Sequence, residues 1–224
     1  MSGWGAQVRH YGYVASQPSQ RSVKIPADER GGWSSDRPRR DGVARPANLF
    51  VHCRVLRPEE RLRYSPGSLL VVTSAFQPER DAFLERVIED RGAVFTTAKV
   101  RRLLAGRVEQ DELHERAAQL LQTAVRKRLD SRQTVVLGPA SLASEEREPF
   151  VRIAAELGRP RHLLLLETAR ERVREEDAGA LNELRRALDS GDLGAEGFQT
   201  ALRLSEASAA QVRRIAFRAV AREE

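Results

Sequence analysis

Between residues 68 and 204 the chain alternates short β-rich apolar runs with longer stretches of helical period, and this alternation restricts the fold more than any other feature. The runs 68–73, 93–96, 134–137, 161–167 and 198–204 read as five strands. The stretches between them read as helices over 78–91, 99–105, 110–130, 144–157 and 170–188, with a last helix over 207–221. Within 110–130, Leu113, Ala117, Leu120, Leu121, Ala124 and Val125 fall on one side. Gly92 and Gly106 separate elements, Ser144 is placed as a helix cap, and Gly158 closes that helix. Strand runs regularly separated by helices predict an α/β domain built on a parallel sheet, because parallel neighbours need crossover connections.

Charge divides the chain differently. Residues 1–64 hold 12 Arg and Lys against 6 Asp and Glu, and residues 65–224 hold 26 against 26, so the whole net +6 sits in the first segment. A basic segment joined to a neutral domain fits a polyanionic partner, most simply nucleic acid, or else a solvated basic arm. Only three of the 38 basic residues are lysines, Lys24, Lys99 and Lys127, so coding bias is an alternative to phosphate recognition as the source of the arginine excess. The longest pure apolar runs, 69–72 and 163–166, are far too short to cross a bilayer, and no signal peptide is visible. One cysteine, Cys53, cannot form an internal disulfide, and the expected location is cytoplasmic.

The loop after the first strand carries the sharpest chemical information. A phosphate loop of the form GxxxxGK[ST] needs bare backbone N–H groups, a lysine for the terminal phosphates and a hydroxyl for magnesium. Residues 74–83 read SAFQPERDAF instead. With Phe83 aligned to the apolar residue after the motif, Ser74 replaces the first glycine, Glu79 the second, Arg80 the lysine and Asp81 the hydroxyl residue. Pro78 removes a further donor. A carboxylate about 4 Å from a phosphate charge costs up to about 4 kcal/mol at an effective dielectric near 20. Nucleotide binding in the usual pose is therefore not expected, and no cofactor is assigned.

Element order and local wording together resemble the bacterial P-loop kinases that include the 5′-polynucleotide kinase of RNA repair and the zeta-toxin-like kinases. The matching phrases are Leu69-Leu70-Val71-Val72, the run VRRLLAG over 100–106, His114-Glu115-Arg116, Thr134-Val135-Val136, Ser141-Leu142 and Arg147-Glu148-Pro149-Phe150. The resemblance as a whole covers about two thirds of the chain, residues 68–217. The resemblance implies a P-loop kinase-like sheet flanked by helices, and an acid ending the second strand to orient the acceptor hydroxyl. Thr96-Thr97-Ala98 offers none there. It also implies an Asp after the third strand, where this chain reads LGPASL over 137–142, and lid arginines. Arg170, Arg172 and Arg174 lie in the lid neighbourhood, interleaved with Glu171, Glu175 and Glu176 as on a solvated, salt-bridged helix face. Four departures from phosphoryl transfer point to a pseudokinase with no catalytic residue and no metal site.

In the amino-terminal segment, Trp4, Tyr11, Gly12, Tyr13 and Val14 follow the spacing W-x6-F-G-F-[IV], and Leu49-Phe50-Val51-His52 looks like [VI]-F-V-H. On these two motifs the segment resembles a cold-shock domain of the OB class. The resemblance implies a base-stacking platform of Trp4, Tyr11, Tyr13, Phe50 and His52, with Arg9 on the backbone phosphates. Residues 1–64 form the expected β module. Its insert at about 15–46 holds Pro18, Pro26, Gly31-Gly32, Pro38 and Pro46, and Arg37, Arg39 and Arg40 make it a basic arm able to follow a phosphate backbone. Residues 65–224 form the α/β domain.

The reading that joins these parts is a non-catalytic protein that binds single-stranded nucleic acid, RNA more than DNA, on a pseudokinase scaffold. Two alternatives stay open on sequence grounds. One is an ATP- or GTP-dependent polynucleotide or small-molecule kinase with Arg80 in place of the lysine. The other is an interaction subunit whose partner is a protein. No membrane partner is expected.

Overall fold

The computed structural model describes residues 49–57 and 62–218. Six strands form one parallel sheet: β1 (Arg54–Leu56), β3 (Leu69–Ser74), β4 (Val94–Thr96), β5 (Val135–Gly138), β6 (Arg161–Leu166) and β7 (Thr200–Leu204). Their spatial order is β1-β7-β6-β3-β5-β4, and every neighbouring pair is parallel. The class expected from the alternation, α/β with a parallel sheet flanked by helices, is the one observed. Two short strands, β2 (Arg63–Tyr64) and β8 (Ala216–Phe217), pair separately.

The central strands explain their own burial. β3 and β6 are buried at all six positions each, as strands covered on both faces must be. Alternate side chains go to opposite layers. Leu70, Val72, Leu164 and Leu166 meet Phe83, Leu84 and Val87 of α1 (Gln77–Val87). Leu69, Val71, Leu163 and Leu165 meet the other layer, made by α3 (Leu113–Asp130), α4 (Ser144–Glu156) and α5 (Glu175–Ser190). Val100 of α2 (Thr97–Leu104) joins that second layer.

Several sequence expectations change on inspection. The final helix over 207–221 is replaced by α6 (Glu206–Gln211) and then β8. Tertiary hydrogen bonds win here: Ile215 N–H donates to Val87 O at 3.0 Å and Ala216 N–H to Leu62 O at 3.0 Å, while Ile215 is buried. The charged stretch 170–188 is not one helix, because a 3₁₀ turn (Arg170–Arg172) precedes α5. Ser144 is the first residue of α4, Ala143 stands at the cap, and no side chain caps that end. The fifth run begins its pairing at Thr200.

Residues near position 50 belong to the sheet's packing. Val51 N–H donates to Gly194 O at 3.0 Å and Arg54 N–H to Gln199 O at 2.9 Å, which leads the chain into β1 at the sheet edge. Gly194 is required there, since a Cβ would collide with the Val51 carbonyl. β1 and β2 thus extend the α/β unit to the amino-terminal side of residue 65.

Candidate functional site

In open parallel sheets the ligand crevice lies beyond the carboxyl ends of the strands, where successive connections leave in opposite directions. Here that place is the end of β3, between β6 and β5. The segment expected to be a degenerate phosphate loop sits there, joining β3 to the amino end of α1. Ser74, Glu79, Arg80 and Asp81 all lie at this end of the sheet, and the side chains of Ser74 and Arg80 are buried there.

Arg80 is the central feature. Its side chain, in the first turn of α1, is 2% exposed, a burial that arginine rarely shows unless paired. Nε and Nη2 donate to Asp81 Oδ1 at 2.9 and 2.8 Å, and Nη1 donates to Pro139 O. The guanidinium lies over Gly138, the last residue of β5. A Cβ at that position would stand 2.9 Å from Arg80 Nε and 3.0 Å from Thr96 Cγ2. Glycine is needed there because the arginine occupies the space.

The remaining polar groups of the crevice are also satisfied internally. Ser74 Oγ and Thr168 Oγ1 share a buried hydrogen bond of 2.8 Å across the β3 and β6 ends, and Ser74 Oγ accepts from Phe76 N–H at 3.2 Å. Gln77 Nε2 donates to Ala140 O on the opposite wall. Thr96, where an acceptor acid was sought, is buried and accepts from Lys99 N–H at 3.1 Å as the amino-terminal cap of α2. Pro78 falls in the first turn of α1, where a missing N–H costs nothing.

Carboxylates of the chain stand where an anionic ligand would be drawn. Glu79 lies in the first turn of α1, at the positive end of the helix. Arg172, from the expected lid, donates to Glu79 Oε2 of α1 at 3.3 Å and to Glu206 Oε1 of α6 at 2.9 Å. Arg174 pairs with Glu176 at 2.7 Å and Asp177 at 2.8 Å. Beside β6, Glu167 accepts from Arg185 Nε at 3.1 Å and from Arg203. Burial alone would raise the Glu167 pKa, but the Arg185 hydrogen bond and the charges of Arg185 and Arg203 outweigh it and hold the carboxyl below its ordinary range.

Of the expected stacking platform, Phe50 and His52 are described. Phe50 is 75% exposed, and His52 is exposed two residues on. Leu49 packs against the core and Cys53 is buried, so the segment alternates inward apolar and outward aromatic side chains. Trp4, Arg9, Tyr11, Tyr13, Arg37, Arg39 and Arg40 lie outside the described residues. Sequence reasoning did not single out Thr168, Gln77 or the Glu167, Arg185 and Arg203 cluster. Only the position of Thr168 just past a strand end could have flagged it.

Among the described residues there is no group of three His, Cys, Asp or Glu side chains placed to hold a metal ion, and no helix is long and apolar enough to cross a membrane. No family model matches the sequence, and no curated protein matches it. Among solved structures, the tunicamycin resistance protein of Deinococcus radiodurans is similar at 17% identity with a TM-score of 0.36, over 65% of this chain and 93% of that one.

Proposed function

We propose that this protein holds single-stranded nucleic acid and transfers no phosphoryl group. The observation that carries the second half is the buried Arg80 guanidinium, which occupies the phosphate crevice and spends its hydrogen bonds on Asp81 and Pro139 O. A triphosphate would have to expel a paired, desolvated cation and then face Glu79 and Asp81, which is electrostatically adverse.

Support for the first half is the outward pairing of Phe50 and His52, in the segment whose wording resembles a cold-shock motif. Exposed aromatic faces stack unpaired bases, each worth about 1–3 kcal/mol, and cations of the basic arm meet the backbone. Affinity of this kind is salt-dependent because phosphate contacts release counterions.

The test is fluorescence anisotropy with labelled single-stranded RNA and DNA oligonucleotides at several salt concentrations. Binding is expected to weaken as salt rises and to fall at least tenfold when Tyr11, Tyr13 and Phe50 are all changed to alanine. Equal affinity of that triple variant would refute the reading.

A further inference from the structure

A second concavity lies at the other end of the strands, near the amino ends of β4 and β5, and unlike the filled crevice it is open. It is an open cavity of about 510 Å3, within the size range of small-molecule sites. Ile88, Ala93, Ile215 and Phe217 give it an apolar wall. Arg128, Arg214 and Arg218 line it together with two carboxylates, Glu89 and Asp90, an excess of positive charge.

The helix ends nearby would ordinarily disfavour an anion, since α1 and α3 both point their carboxyl ends this way. Those carbonyls are already covered. Val87 O accepts from Ile215 N–H at 3.0 Å, Arg128 O from Gln133 N–H at 3.0 Å, and Leu129 O from Arg132 N–H at 3.0 Å. The cations are held differently. Arg128 is fixed by Thr134 O at 2.8 Å and by Asp90. Arg214 makes one exposed ion pair with Glu89 at 3.0 Å, of the kind a stronger anion readily replaces. Arg218 is exposed and has no carboxylate partner among the described residues.

From this arrangement we infer a binding site for a phosphomonoester carried on a flat ring, the chemistry of a nucleoside monophosphate. Arg214 and Arg218 meet the phosphate, with Arg128 as the fixed wall between it and Asp90. The ring lies against the partly exposed Phe217. Guanidinium suits this task because its planar fork matches phosphate oxygens in pairs. The site stands apart from Phe50 and His52 and goes beyond the single-strand reading. A free nucleotide and the 5′-phosphorylated end of a strand share this chemistry.

The experiment is calorimetric titration of the full chain with uridine 5′-monophosphate, ribose 5-phosphate and uridine, and with oligonucleotides bearing either a 5′-phosphate or a 5′-hydroxyl. Saturable binding of uridine 5′-monophosphate is expected, at least tenfold tighter than either fragment. It is expected to drop at least tenfold in the double variant Arg214→Ala/Arg218→Ala, whose exposed side chains leave the melting temperature unchanged. Preference for the 5′-phosphorylated oligonucleotide assigns the strand end as the source, and equal binding of the two oligonucleotides assigns the free nucleotide. Absence of binding at millimolar nucleotide, or binding untouched by the arginine changes, overturns the inference. Changing Phe50 and His52 to alanine separates the two readings: it leaves the mononucleotide unaffected while weakening oligonucleotides, and a parallel loss of both ligands overturns a distinct pocket.

Discussion

Replacing Arg80 by alanine probes whether the guanidinium is a structural occupant of the crevice or a ligand-binding group. The wild-type side chain is 2% exposed and its partner Asp81 is 39% exposed. Asp81 therefore rehydrates in the variant, and its pairing is discounted accordingly. Pro139 O loses its donor, which costs about 1–3 kcal/mol for a buried acceptor. Loss of the buried aliphatic stem adds about 2 kcal/mol at roughly 0.8 kcal/mol per methylene. The sum, about 3–5 kcal/mol, corresponds to a fall in Tm of about 6–20 °C for a domain of this size. Arg80→Met keeps the stem and is expected to lose only about 1–3 kcal/mol, so the two variants rank in a stated order. The assay is thermal melting by circular dichroism, with Mg·ATP titrated calorimetrically into wild type and variant. An unchanged Tm in Arg80→Ala, or saturable Mg·ATP binding to wild type that disappears in the variant, would refute the reasoning.

Four further outcomes follow from named contacts. His162 is buried, its ring centroid lies 4.6 Å from that of Tyr64, its Nδ1 bonds Thr200 Oγ1 at 2.8 Å, and burial followed by the Arg161 charge lowers its pKa to about 4. Between pH 6.5 and 4 the unfolded chain takes up a proton that the native histidine refuses, so stability falls with acidification by up to about 3 kcal/mol. Urea midpoints across that window should lose this slope in His162→Leu. A further loss below pH 4.5, as the Glu167 carboxylate is protonated, should remain in the same variant and disappear in Glu167→Gln. Cys53 is buried and its thiol is raised to about 11, by burial first and by Glu196 second, so native thiol modification at pH 7.5 should be at least a hundredfold slower than in the urea-unfolded chain. Gly138→Ala should cost about 1–3 kcal/mol in the same melts, and combining it with Arg80→Ala should recover part of that loss, because the clash is with the guanidinium.

Much of the fold was legible because burial on both faces makes the strands of a parallel sheet near-continuous apolar runs. The four leucines of β6 and the run from Leu69 to Val72 admit few other readings. The carboxyl-terminal segment was misread for a matching reason. Val212, Ile215, Ala216 and Phe217 fit a helical period, but Ile215 and Ala216 donate to Val87 O and Leu62 O, distant in sequence, and no local pattern reveals such partners. Likewise the charged stretch after residue 170 reads as one solvated helix, whereas Arg172 reaches across to α1 and α6.

The sequence by itself determined that no glycine-lined, lysine-bearing phosphate loop exists, because those parts are residue types and their absence is read directly. Only the tertiary structure decided what stands in their place. The use of Arg80 as a buried filler depends on a carbonyl at Pro139 and a bare backbone at Gly138, both brought to the crevice by a strand some sixty residues away. Composition records charges, but whether a charge is offered to a ligand or consumed by its neighbours depends on distance and burial, which are fixed only when the sheet forms.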